Sequence, residues 1–203
     1  MAKQRLEDGR GGVGDHEIPG GIKRFSREAR EALKRQEFII LDLTGKSIQT
    51  LGSVGRKFLL TSFKANPDFE TLVSMRSQVA INPNSLFLPE SNNKTLLQQE
   101  AMIAAFSVEL GQTVPDVKAI IGEISDYTDL VFAYSDATTA QGSPDYLFGE
   151  KYGHNRARTK TRISNAGAVD IGEFSINNGL EIDCWDAVNG HENLFVAPII
   201  IPA

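Results

Sequence analysis

The segment from Lys94 to Leu110 has apolar side chains on most sides of a predicted helix. They fall into two rows at helical spacing: Leu97, Ala101, Ala104 and Val108 in one, with Leu96, Ile103, Phe106 and Leu110 beside it. A helix that is apolar around its circumference usually packs inside a protein rather than on its surface. Polar residues at 91–93 can cap its start, and Gly111 follows its end. We therefore expect one central helix near 94–110 around which the other elements pack.

The C-terminal third is rich in strand patterns. Apolar runs and alternating apolar and polar residues occupy 156–163, 168–176, 180–185 and 194–201. Asn178-Gly179, between two of these segments, is typical of a type I′ hairpin turn. Pro198 lies in the last segment and indicates an edge strand or a bulge, because proline cannot donate to a strand ladder. The fold class is therefore α+β, with the central helix packed on a mostly antiparallel sheet.

The first two thirds of the chain mix helix and strand signals. Ser26 can cap a short helix over 26–36, with acidic residues near its start and basic residues near its end. The segment 38–43 predicts a strand, Gly45 a turn, and the apolar series from Ile48 a second strand. Further strands are expected at 58–63, 78–81, 117–121 and 130–134, with a short helical segment at 69–75.

Length and composition predict one folded domain with a flexible start. The 203 residues are 41% hydrophobic and 23% charged, as in ordinary globular proteins. A chain of this length buries about 70% of the surface that it exposes when unfolded, so its core needs no metal or disulfide. Residues 1–21 contain six glycines and almost no large apolar side chains, so burial there offsets little ordering entropy. We expect a disordered Gly-rich arm at 1–21 and a single domain at 22–203.

Charge and cysteine content restrict the partners and the compartment. The net charge of −5 divides into +3 over 1–36, −2 over 37–162 and −6 over 163–203. Opposite charges at the two ends can pair within the fold or between subunits, whereas an acidic protein lacks the basic excess typical of nucleic-acid-binding surfaces. Cys184 is the only cysteine, and neither a signal peptide nor a bilayer-length apolar run is present. We therefore expect a cytoplasmic protein that does not insert into membranes and that uses nucleic acid, if at all, as a minor partner.

A row of basic residues is the first candidate site. Its members alternate with small residues and follow a histidine: Arg156, Arg158, Lys160 and Arg162, after His154. On a strand such side chains share one face about 6.6 Å apart, a spacing close to that of phosphates on an extended single strand. The row is a candidate site for an anionic ligand or nucleic acid. The alternative, which we favour because aromatic stacking residues are scarce nearby, is a ladder of cross-strand ion pairs with Glu181 and Asp183.

Glu181 and Asp183 are also the candidate metal ligands. Two carboxylates on one strand face can hold Mg²⁺, and Lys160 or Arg162 beside them could then bind a phosphate, as in a metal-dependent hydrolase. The spacing matches no known metal motif, and the three histidines and one cysteine are too scattered for zinc. Cys184 falls on the apolar side of its strand and is expected to be buried and unreactive. No cofactor is predicted.

Thr44-Gly45-Lys46-Ser47 follows a hydrophobic strand and invites comparison with the phosphate-binding P-loop. That motif needs a second glycine five residues before Gly45, and Ile40 stands there. We therefore predict a hairpin turn and no nucleotide site.

Three functions are compatible with these features. The first is a non-enzymatic interaction or assembly module, forming a homo-oligomer or binding a protein partner, because it needs no site beyond those visible. The second is binding of an anionic ligand or nucleic acid through the basic row. The third is metal-dependent hydrolysis at Glu181 and Asp183.

Overall fold

The computed structural model describes residues 21–60, 67–142, 145–163 and 167–203. Except for Gly21, the arm expected at 1–21 lies outside these residues, as does the end of the strand expected at 58–63. The helices are α1 (Arg27–Arg35), α2 (Ile48–Ser53), α3 (Leu96–Gly111) and α4 (Ile124–Ala140). The strands are β1 (Ile39–Thr44), β2 (Phe58–Leu60), β3 (Arg76–Ile81), β4 (Val117–Ile120), β5 (Arg156–Arg162), β6 (Gly167–Ser175), β7 (Gly179–Asp186), β8 (Leu194–Phe195) and β9 (Ile199–Pro202). Short 3₁₀ helices span Pro67–Thr71 and Glu150–Tyr152.

The strands form two sheets. The four-stranded sheet has the order β1-β3-β9-β4 and is antiparallel throughout. The five-stranded sheet has the order β2-β7-β6-β5-β8, with antiparallel pairs at its centre and parallel pairs at both edges. The α+β class is therefore confirmed, and most of the strand pairing is antiparallel.

The four-stranded sheet buries both of its faces. Because neighbouring strand residues point to opposite sides, Val79 and Ile199 pack with α4 and the five-stranded sheet, whereas Ala80 and Ile200 pack with α1 and α3. The resulting layers are α1 and α3, the four-stranded sheet, α4, and the five-stranded sheet. The four-stranded sheet thus lies between two apolar clusters, one on each of its faces.

The central helix is α4, so the prediction for 94–110 was wrong in this respect. α4 lies between the sheets and buries most of its length, including Tyr127, Leu130 and Val131. α3 does form, with a capping box between Thr95 and Gln98, but it lies in the outer layer. The segment 130–134, predicted as a strand, belongs to α4, since a fully buried helix segment and a buried strand have the same apolar run.

Three other local predictions need correction. The chain after Gly45 forms α2 rather than a strand, because the Ser47 hydroxyl accepts a hydrogen bond from Thr50 N and caps a helix. The turn before β7 is not type I′, since Gly179 has a positive φ but Asn178 does not. The single strand predicted at 194–201 forms two strands, β8 and β9, which belong to different sheets. Pro198 lies between them.

Most of the other element predictions are confirmed, but the helical segment expected at 69–75 is a 3₁₀ helix at Pro67–Thr71. Ser26 caps α1 through a hydrogen bond from Ala29 N, and β1, β3, β4, β5, β6 and β7 lie where strands were expected. Among the described residues, no helix combines the length and apolar character needed to cross a bilayer.

Candidate functional site

The outward side of α3 carries an unusual apolar surface. Leu97 is 75% exposed and Val108 is 70% exposed, and Ala101 and Ala104 between them are exposed as well. Spacings of four, three and four residues place all four on one side of the helix. We call these four residues the α3 face. A surface helix normally directs polar residues outward, so this face is a candidate contact surface.

More exposed apolar side chains lie near the start of α3. The backbone N–H of Leu96 donates to the carbonyl of Ala187, 2.9 Å away, which fixes the loop after β7 beside this end of the helix. The next loop residue, Val188, is 64% exposed. Trp185, at the end of β7, is partly exposed and packs edge to face on His191. The loop therefore adds apolar surface next to Leu97.

A buried arginine holds this loop. Arg158 is fully buried, and its guanidinium donates to the carbonyls of Asn189 at 2.8 Å and of Asp186 and Lys94 at 3.3 Å. Burial lowers the pKa of Arg158, against the opposing effect of the Asp170 and Asp186 carboxylates. Arg158 thus connects β5, the loop after β7 and the turn before α3.

Arg156, the first member of the basic row, lies among carboxylates. Its Nε donates to Asp170 Oδ1, and its Nη1 lies 3.3 Å from Glu181 Oε1 and 3.6 Å from Glu173 Oε1. Gly172 separates Arg156 from Glu181 in the sheet register, and an added Cβ at Gly172 would lie 2.7 Å from Arg156 Cγ. Because glycine has no side chain, the Arg156 side chain can cross β6 at Gly172 and reach Glu181 on β7.

Electrostatics in this cluster reflect burial. Burial raises the pKa values of Asp170 and Glu181, and Arg156 opposes both shifts. Burial acts to lower the pKa of Arg156 itself, but the surrounding carboxylates outweigh it, and the net shift is upward. Arg156 and Glu181 were both assigned to the predicted ion-pair ladder, but β6 lies between their strands, so this contact does not join neighbouring strands as the ladder requires.

The rest of the basic row does not continue along one face. A register irregularity interrupts β5 between Arg158 and Arg162, and Lys160 and Arg162 are exposed while Arg158 is buried. His154, mostly exposed, lies 3.3 Å from Glu173. The structure therefore gives the five predicted anion-site residues different surroundings rather than one shared surface.

The two predicted metal ligands are engaged within the chain. Glu181 contacts Arg156 as described, and Asp183 Oδ1 accepts a hydrogen bond of 2.8 Å from Cys184 N. Cys184, predicted to be buried, is half-buried. In the part of the chain that the structure describes, no group of three His, Cys, Asp or Glu side chains is arranged to hold a metal ion.

The segment compared with the P-loop has its backbone amides occupied. Gly45 N and Lys46 N donate to Ser74 Oγ at 3.1 and 3.0 Å, and Ser74 Oγ donates to Asp129 Oδ2 at 2.7 Å. Lys46 Nζ lies 3.8 Å from the other oxygen of the buried Asp129. These contacts attach the end of β1 to α4 and leave the loop engaged with protein groups.

A cavity of about 250 Å³ lies beneath the other side of α3. Phe38, Phe87 and Phe106 contribute to its wall, and none of its lining residues is charged. The amide groups of Gln36 and Asn82 at its edge hydrogen-bond within the chain. The cavity thus offers apolar surface without a charged anchor for a ligand.

No protein-family model, curated protein or solved structure matches this chain.

Sequence reasoning identified the residues of the α3 face but assigned them to the core. The signal that distinguishes them is the second apolar row, of which Leu96, Ile103 and Leu110 are the buried members. Since one row covers the neighbouring sheet, the other is left facing outward.

Proposed function

We propose that this chain is a non-enzymatic assembly module that contacts another protein chain through the α3 face. The observation that carries the proposal is the exposure of Leu97 and Val108 on a helix whose opposite side is already packed. Exposed apolar surfaces of this kind are typical of protein–protein contacts. The neighbouring Val188 and Trp185 extend the surface beyond one helix, toward the area that specific interfaces need.

Intramolecular ion pairs support an apolar rather than a charged contact. Arg24 and Arg27, in the basic N-terminal region, lie near Asp42 and Glu31. In the acidic C-terminal region, Asp170, Glu173 and Glu181 surround Arg156. These contacts offset part of the charge asymmetry within the fold, since Arg156 is shared by three carboxylates and Arg24 lies near Asp42.

The other functions stay predictions of the sequence. Anion binding at β5 would have to use Lys160 and Arg162, and hydrolysis would have to displace Glu181 from Arg156. A cytoplasmic setting likewise stays a prediction, which the single Cys184 supports because it cannot form an intrachain disulfide.

Site-specific photo-crosslinking tests the contact surface whatever the partner is. A photoreactive phenylalanine analogue replaces Val108 in one variant and Ile176 in another, since Ile176 is equally apolar, 75% exposed and located in the turn between β6 and β7. After irradiation in the host cell, we expect a covalent adduct to another chain at position 108 and none at 176. No adduct at 108, or the same adducts at both positions, would refute the proposal.

A further inference from the structure

We infer that the partner on the α3 face is a second copy of this chain, packed antiparallel about a two-fold axis between Ala101 and Ala104. This inference rests on the proposed function. It names the partner and its orientation, which exposure of the face does not determine.

The side chains of the α3 face have complementary sizes when the α3 helices of two copies pair in register. Leu97 and Val108 are large and lie at the ends, whereas Ala101 and Ala104 are small and lie at the centre. Small central residues let two helix axes approach to about 8 Å, the short end of the usual range. In an antiparallel pair, Leu97 of each chain packs on Val108 of the other, and Ala101 faces Ala104. The face is therefore complementary to itself, as a two-fold interface requires.

The charged residues at the two ends of the face, Lys94 and Glu109, favour the antiparallel orientation. Lys94 comes just before the N-cap of α3, and Glu109 is exposed in its last turn. Antiparallel packing brings Lys94 of each chain beside Glu109 of the other, at both ends of the contact. Parallel packing would instead place Lys94 beside Lys94 and Glu109 beside Glu109, which is unfavourable. Antiparallel helix dipoles add a smaller contribution of the same sign.

The extent of the face limits the strength of the pair. α3 has 16 residues, so the helix is about 24 Å long. One helix pair buries less than the roughly 1,200 Å² of stable interfaces, even with some help from Val188. We therefore expect a reversible dimer that closes on itself and forms no larger assemblies.

Disulfide pairing between differently tagged chains tests both partner and orientation. Single variants Leu97→Cys and Val108→Cys are made in a Cys184→Ala background, mixed and oxidised. In the antiparallel pair, Leu97 lies opposite Val108, but the two copies of residue 97 are about 16 Å apart, beyond the reach of a disulfide. We expect the mixed 97–108 disulfide to predominate. Predominant 97–97 and 108–108 disulfides would overturn the orientation.

A matched control completes this experiment. Leu97→Cys mixed with Ile176→Cys gives the background of random collision, since both sites are equally exposed. Pairing of 97 with 108 no higher than this background would overturn self-pairing. If photo-crosslinking at Val108 still captured a different protein, the assembly proposal would stand while the second copy as partner would fall.

Charge reversal gives an independent check of orientation. Lys94→Glu should weaken dimerisation about three- to tenfold, and Glu109→Lys in the same chain should restore it. Measurement is by sedimentation equilibrium. Failure of the double variant to recover, or species larger than a dimer in the parent, would contradict the antiparallel closed pair.

Discussion

Replacing Arg158 with methionine removes the charged connection at the start of α3 while keeping most of the apolar stem of the side chain. In the native fold the guanidinium donates to three backbone carbonyls, those of Lys94, Asp186 and Asn189. Methionine cannot donate hydrogen bonds, so these three carbonyls lose the Arg158 guanidinium as their donor. The loop after β7 and the turn before α3 then lose the side chain that connects them.

The magnitude follows from these contacts. A hydrogen bond from a charged donor contributes about 1.5–3 kcal/mol, and here the bond to Asn189 at 2.8 Å is short while the other two, at 3.3 Å, are long. Burying the guanidinium has a desolvation cost that methionine avoids. Loss of a partner from a buried charged network nevertheless leaves the Asp170 and Asp186 carboxylates less compensated. We expect Arg158→Met to lower the free energy of unfolding by about 3 kcal/mol.

Urea unfolding measures this loss, with Arg162→Met as the control. Arg162 is on the same strand but exposed, so its replacement should change the free energy of unfolding by no more than about 0.5 kcal/mol. Hydrogen exchange gives a local readout, because the amides of Asn93 and Leu96 donate to the loop carbonyls that Arg158 helps to place. Equal unfolding free energies for the Arg158 and Arg162 variants would refute the anchoring role.

Two further predictions concern the buried charges. Gly172→Ala should lower the free energy of unfolding by about 1–3 kcal/mol, since the new Cβ would lie 2.7 Å from Arg156 Cγ. Gly52→Ala is the control, because nothing lies within 4 Å of a Cβ added at Gly52. Equal effects of the two replacements on thermal unfolding would contradict the close approach at Gly172. Burial raises the pKa of Asp126, whose carboxylate accepts from Met75 N at 2.8 Å. Between the unfolded-state pKa of about 4 and the raised pKa of the folded state, the folded state therefore binds more protons than the unfolded state, and the stability contributed by this group falls as pH rises. In urea titrations, the free energy of unfolding of the parent minus that of Asp126→Asn should therefore decrease as pH rises through this window. An increase in this difference would refute the sign.

The α3 helix illustrates how far periodicity reaches. Its existence and its ends could be predicted from spacing and capping, because both are local. Its place in the fold could not, because two apolar rows compete and only the tertiary structure selects the row with Leu96 and Ile103 for burial. The residues left over, Leu97 and Val108, became the candidate contact surface.

The α4 helix illustrates the opposite case. Asp126 and Asp129 are buried in its first half, and their partners, Met75 and Ser74, lie on a distant segment of the chain. Sequence spacing gives no sign of such partners, and the only part of the helix that was interpreted, the apolar run 130–134, was assigned to a strand. The ion pair between Arg156 and Glu181 was predictable from alternation, whereas its passage over Gly172 needed the strand order.

Sedimentation equilibrium of the purified full chain tests the central claim most directly. We expect a reversible monomer–dimer equilibrium, weakened at least about tenfold by Leu97→Glu and unchanged by Ile176→Glu. Self-assembly through the α3 face would be contradicted if the chain stayed monomeric up to about millimolar concentration, where even contacts of only about 4 kcal/mol become populated. It would also be contradicted if Leu97→Glu and Ile176→Glu had the same effect on dimerisation.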